Sequence, residues 1–130
     1  MKQFFIILLL FCLFSTTAQA RKHTQSEKAY INQYCETFYQ GKSEVVIDGG
    51  RVDCLTDEYA IEFEFIDKWK EAIGQSLFYA LNTNKKPAIV ALMESYRKTT
   101  ALDRKDLEKL RFVCKAYDIK VFVLEPPTRK

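Results

Sequence analysis

Apolar and polar positions recur along this chain with two different periods, and the switches between them mark out its elements. From Thr24 to Tyr39, Ile31, Tyr34, Cys35 and Phe38 lie at helical spacing, with Thr24 as N-cap and Gly41 as the stop. Ser43 to Ile47 reads as a short strand, Asp48-Gly49-Gly50 as a turn and Arg51 to Thr56 as a second strand. Asp57-Glu58 is a tight turn leading into a third strand, Tyr59 to Phe65. Asp67 to Thr83 is helical. Lys86 to Met93 contains the apolar run Ala88-Ile89-Val90-Ala91-Leu92 of a buried strand. Leu102 to Tyr117 is an amphipathic helix with Leu107, Leu110, Val113 and Cys114 on its apolar side. Ile119 to Leu124 is a last strand, ended by Pro126-Pro127. The order α-β-β-β-α-β-α-β, without an internal repeat, predicts a single α/β domain: a three-strand meander followed by crossover units.

The first twenty residues fall outside this pattern. Met1-Lys2-Gln3 is a short positive start, Phe4 to Phe14 an unbroken apolar run, and Ala18-Gln19-Ala20 a small-x-small site. They are expected to form a signal peptide, residues 1–20, cleaved after Ala20, leaving the domain at residues 21–130. Eleven apolar residues fall short of the roughly 20 that span a bilayer. The alternative is an uncleaved anchor. Export, to a periplasm or the extracellular medium, places Cys35, Cys54 and Cys114 in an oxidising compartment. One disulfide and one free thiol, in any of three pairings, or three buried thiols are all open.

Composition narrows the chemistry. With 48% hydrophobic and 28% charged residues the 130-residue chain is globular. Its one histidine, His23, lies near the expected new N-terminus, where chains fray. Triads and metal sites built on histidine are therefore disfavoured. Without residues 1–20 the charge is +2, from 19 basic and 17 acidic residues, too small an excess to indicate nucleic-acid binding by itself.

Acidic residues are concentrated instead. On the third strand Ile61, Phe63 and Phe65 point to one face, and Ala60, Glu62 and Glu64 to the other. A two-residue turn at Asp57-Glu58 sets Thr56 against Tyr59, Asp53 against Glu62 and Arg51 against Glu64. A Gly49-Gly50 turn sets Val46 against Asp53 and brings Glu44 to the same face. Such carboxylates are either solvated or share a hard divalent cation, Mg²⁺ or Mn²⁺. At about 100° per residue, Lys68, Gln75 and Tyr79 form a polar stripe on the next helix, and Trp69, Ile73, Leu77 and Ala80 lie on another side.

Gly50-Arg51-Val52-Asp53, Ile61-Glu62-Phe63-Glu64 and Gln75-Ser76-Leu77-Phe78-Tyr79 together resemble the PD-(D/E)XK nuclease superfamily, including the Q-x-x-x-Y motif of its RecB-type branch. The resemblance runs from about Glu27 to Glu125 and extends to small uncharacterised phage and bacterial proteins placed in that superfamily. It implies a restriction endonuclease-like αβββαβ core. Asp53 matches the second-strand Asp, Glu62 the first acid of the third-strand motif, and Glu44, or next Glu36, the early acid. The lysine of that motif is Glu64 here, and Lys68 is placed to supply it from the following helix.

The resemblance implies an exported, Mg²⁺- or Mn²⁺-dependent nuclease acting on phosphodiesters, DNA above RNA. Asp53 and Glu62 would hold the metal, with the Phe63 carbonyl a third ligand, and Glu44 would hold a second ion or its water. Lys68 or Glu64 would orient the attacking water. Gln75, Tyr79, Lys85 and Lys86 would contact nucleic acid, with Arg97-Lys98 and Arg104-Lys105 as further phosphate contacts. Two other readings are a catalytically impaired binding or interaction module of the cell envelope, and a glycosidase-like use of the paired carboxylates.

Overall fold

The backbone alternates as its hydrophobic pattern requires. A computed structural model describes residues 23–94 and 100–126. The expected signal peptide and Arg97-Lys98 lie outside them. The order is α1 (Glu27–Tyr34), β1 (Lys42–Ile47), β2 (Gly50–Leu55), β3 (Tyr59–Phe65), a 3-10 turn (Ile66–Lys68), α2 (Trp69–Thr83), β4 (Lys86–Leu92), α3 (Thr100–Ala116) and β5 (Lys120–Leu124). One five-stranded mixed sheet runs β1-β2-β3-β4-β5. β1, β2 and β3 pair antiparallel, whereas β3, β4 and β5 are parallel, joined through α2 and α3. The expected single α/β domain and its element order are both present.

Each sheet face builds its own apolar layer. Ile61, Phe63 and Phe65 of β3 pack with Ala88, Val90 and Leu92 of β4 against Tyr30 and Ile31 of α1. On the reverse face Ile89 and Ala91 pack with Ala72 of α2 and Leu107, Leu110 and Cys114 of α3. The parallel strand β4 is buried on both faces, which explains its continuous apolar sequence.

The first helix is shorter than its sequence pattern. Thr24 does not cap it, because its hydroxyl donates to Glu94 Oε2 at 2.9 Å. Ser26 caps instead, its Oγ accepting from the Ala29 amide. The helix closes at Tyr34, and Cys35 bonds to Cys54 of β2. Cys114 is a buried free thiol. Gly41 sits against that bond: a Cβ there would lie 2.5 Å from Cys54 Sγ. His23 is not frayed but stacks on Phe65, ring centroids 3.5 Å apart.

The registers hold one shift. Cys54↔Ile61 and Leu55↔Ala60 carry the register that sets Asp53 level with Glu62. In the first hairpin Val46 pairs with Arg51, not Asp53. Pairing runs up to Ile47↔Gly50, so the two-residue turn is Asp48-Gly49, one residue earlier than a Gly49-Gly50 turn. The two-residue shift keeps each side chain on its face. Glu44, between the pairs Ser43↔Cys54 and Val45↔Val52, stands level with Asp53.

Candidate functional site

The β2–β3 pairing stops at Cys54↔Ile61. Beyond it the Phe63 amide donates to Asp53 Oδ2 at 2.9 Å. A carboxylate thus takes the place of a strand partner, and the two strands part where the acidic residues lie. Asp53, Glu62 and Glu64 are all buried, at 6%, 4% and 6% exposure. Solvation, the usual fate of an acidic cluster, is closed to them.

Burial is the main cause of their altered acidity. It pushes Asp53 up to about 6, opposed by the Phe63 hydrogen bond. It pushes Glu62 up to about 10, helped by the charges of Asp53, Glu27 and Glu64. Glu64 rises to about 7 through burial and the Glu27 charge, while Lys68 acts against the rise. A hydrogen bond between Glu62 and Asp53 works against the rise at Asp53 and adds to the rise at Glu62. Its Oε2 is buried and has no hydrogen-bond partner among the described residues.

The fourth member is Glu27, in the first turn of α1. Burial and the Asp53 charge raise its pKa, and a hydrogen bond with Glu64 works against them. The sequence pattern points to Glu44 and Glu36 for this place. Glu27 lies far from β3 in sequence, and only the packing of α1 brings it in. Its one legible signal is an acid in a helix's first turn, which the helix dipole alone explains. Glu44 is drawn to Lys28 at 3.4 Å and Arg51 at 3.5 Å. Glu36 accepts from Ser43 Oγ.

The polar stripe divides. Lys68 is exposed, and its charge bears on Glu27 and Glu64. Gln75 is exposed and hydrogen-bonds Tyr79. Tyr79 turns inward, packing with Val52 and Ala60. Burial and the Glu62 charge raise its phenol's pKa. Gly50 makes room for the ring: a Cβ there would lie 2.8 Å from Tyr79 Cε1. Lys85 and Lys86 are held at the opposite end of β3. Lys85 Nζ donates to the Asp57 carbonyl at 2.7 Å, and Lys86 pairs with Glu58 at 3.0 Å. They pin the β2–β3 turn and do not face the carboxylates.

Chemically, the pocket of Glu27, Asp53, Glu62 and Glu64 holds protons or draws a cation. Among the described residues no three His, Cys, Asp or Glu side chains converge closely enough to ligate one metal ion as they stand. The Asp53–Glu62 pair still fits Mg²⁺, which keeps several of its waters and needs only one or two carboxylates. The buried free oxygen of Glu62 is the observation behind that fit.

The comparisons point away from a nuclease. The chain is 32% identical over 109 residues to mimivirus L33, named as a KilA-N domain-containing protein. That match covers 84% of this chain and 41% of L33. A second mimivirus protein of the same description, R878, is 32% identical over 81 residues, 62% of this chain and 21% of its own length. The chain thus spans about two fifths and one fifth of these relatives. No protein-family model and no solved structure matches it. The similarity to KilA-N domain-containing proteins replaces the PD-(D/E)XK nuclease assignment and the phosphodiester hydrolysis drawn from it. The resemblance rested on a few acidic and polar positions, whereas the match extends over most of the chain.

Proposed function

We propose that this chain is a DNA-binding domain that holds the polymer without cutting it. The observation that carries this reading is the similarity to two mimivirus proteins named for a KilA-N domain. The surface charge supports it: α3 turns Arg104, Lys105, Lys109, Arg111 and Lys115 outward, while Asp103 and Asp106 are buried. Phosphate contacts of this kind give sequence-independent, salt-sensitive affinity. As architecture alone, the α-β-β-β-α-β order and the mixed sheet support a restriction endonuclease-like core, which brings no activity with it.

Two further parts belong to the proposal. Asp53 and Glu62 would hold Mg²⁺ or Mn²⁺, which would neutralise their charge and let a phosphate approach. Export from the cell is supported by the Cys35–Cys54 bond, since such bonds persist in oxidising compartments. No helix among the described residues is long and apolar enough to cross a membrane.

Fluorescence anisotropy with labelled DNA tests the reading. Affinity is expected to fall steeply as salt rises, and DNA incubated with protein and Mg²⁺ or Mn²⁺ is expected to keep its length. Absence of binding at low salt, or metal-dependent shortening of the DNA, overturns it.

A further inference from the structure

A groove of about 570 Å³ lies between the start of α2 and the middle of α3. Trp69, Phe112 and Val113 supply its apolar surface, and Lys105, Glu108 and Lys109 the rest. Phe112 is 79% exposed. Trp69 is half-buried against the α2–α3 core and is held in place. Lys70 Nζ lies 5.6 Å from the Trp69 ring centroid.

Charge on the exposed side of α3 is one-sided. At about 100° per residue, Arg104, Arg111 and Lys115 share one arc of α3, while Phe112, Lys105 and Lys109 follow on the adjoining flank. Against these five exposed cations the described helix exposes one acid, Glu108. Arg104 pairs with Glu125 at 2.8 Å, and Lys109 with Asp106 at 3.2 Å. A second, charge-balanced depression shares Trp69 and Lys109 with the groove and continues to Lys68, Asp67 and Glu71. Lys68 is the cation whose charge bears on Glu64 and Glu27.

We propose that this groove is a stacking site for an unpaired base of single-stranded DNA, with the adjoining phosphates held by Lys105 and Lys109. The inference rests on the DNA-binding reading above and names the form of DNA and the surface. Exposed aromatic rings beside cations hold single strands by base stacking and phosphate neutralisation. A duplex keeps its base faces covered and has no use for Phe112. An acidic peptide with an apolar anchor is the rival occupant.

Trp69 is the chain's one tryptophan, so its fluorescence reports on the groove directly. The full chain is titrated with an oligothymidylate, with a duplex and with a polyglutamate peptide. The oligothymidylate is expected to quench Trp69. Phe112→Ala is expected to weaken its binding about tenfold, the size of one lost stack, and Phe112→Tyr to restore it. Lys105→Gln and Lys109→Gln should each lower the salt slope by about 0.7. Phe112 is exposed, so an unchanged melting temperature confirms that Phe112→Ala folds. Duplex binding without a Trp69 response, and unaltered in Phe112→Ala, overturns the inference and leaves the DNA-binding reading standing. Quenching by polyglutamate and not by oligothymidylate overturns the inference as well. Failure of both DNA forms to bind overturns the two together.

Discussion

Raising the pH from 7 to 9 in EDTA should destabilise this protein. Glu62 is held up to about 10 in the fold, against an ordinary value of 4.5. Over this window the folded chain keeps a proton that the unfolded chain has released. Stability is then complete below the unfolded value and is lost as pH rises toward the folded one. Retaining one proton costs about 1.4 kcal/mol per pH unit, so about 3 kcal/mol over two units. For a domain of this size that lowers the melting temperature by on the order of 10 °C. The window avoids His23, whose pKa is lowered by burial from 6.5 and which works in the opposite sense below that value. Glu62→Gln, which keeps the shape and removes the titration, should flatten the slope. Thermal unfolding followed by circular dichroism at half-unit steps measures both. A melting temperature that is level or rises from pH 7 to 9 refutes the account. So does a Glu62→Gln protein with the slope of the parent.

Four shorter predictions concern the frame around the pocket. Reducing Cys35–Cys54, whose residues are 19 apart in sequence, should cost about 3 kcal/mol in chemical denaturation. Cys114, its thiol pushed up to about 11 by burial, should react with a thiol reagent only once the chain unfolds. Gly50→Ala sets a Cβ 2.8 Å from the Tyr79 ring and should destabilise by about 1–3 kcal/mol in urea melts. Asp53→Ala removes the acceptor of the Phe63 amide and should cost about 1–3 kcal/mol. Asp53→Asn, which keeps an acceptor oxygen, should cost less in the same measurement.

Periodicity carried most of the fold. β3 lies at the residues its alternation marks, and β4 and α3 differ from expectation only at their ends. Those elements have strong patterns and turn residues at both ends. Local pattern failed where distant residues decide. Thr24 looked like a cap until Glu94, remote in sequence, claimed its hydroxyl. The helix expected to reach Tyr39 closes at Tyr34, next to the cysteine that bonds β2. In the candidate site, alternation placed Asp53, Glu62 and Glu64 together, because one strand pair fixes all three. Glu27 was hidden, because no period links α1 to β3. Lys85 and Lys86 read as free cations in sequence, although the β2–β3 turn uses both. The function drawn from the motifs was wrong for a related reason. A handful of residue types at fixed spacings records a shared geometry more faithfully than a shared task.

The covalent link between α1 and β2 reaches further than stability. It joins Cys35, just past the helix that carries Glu27, to Cys54, next to Asp53 and at the last pair before β2 and β3 part. It therefore fixes how far apart two members of the acidic pocket can drift. Cutting it loosens the frame at the point where repulsion between carboxylates is greatest.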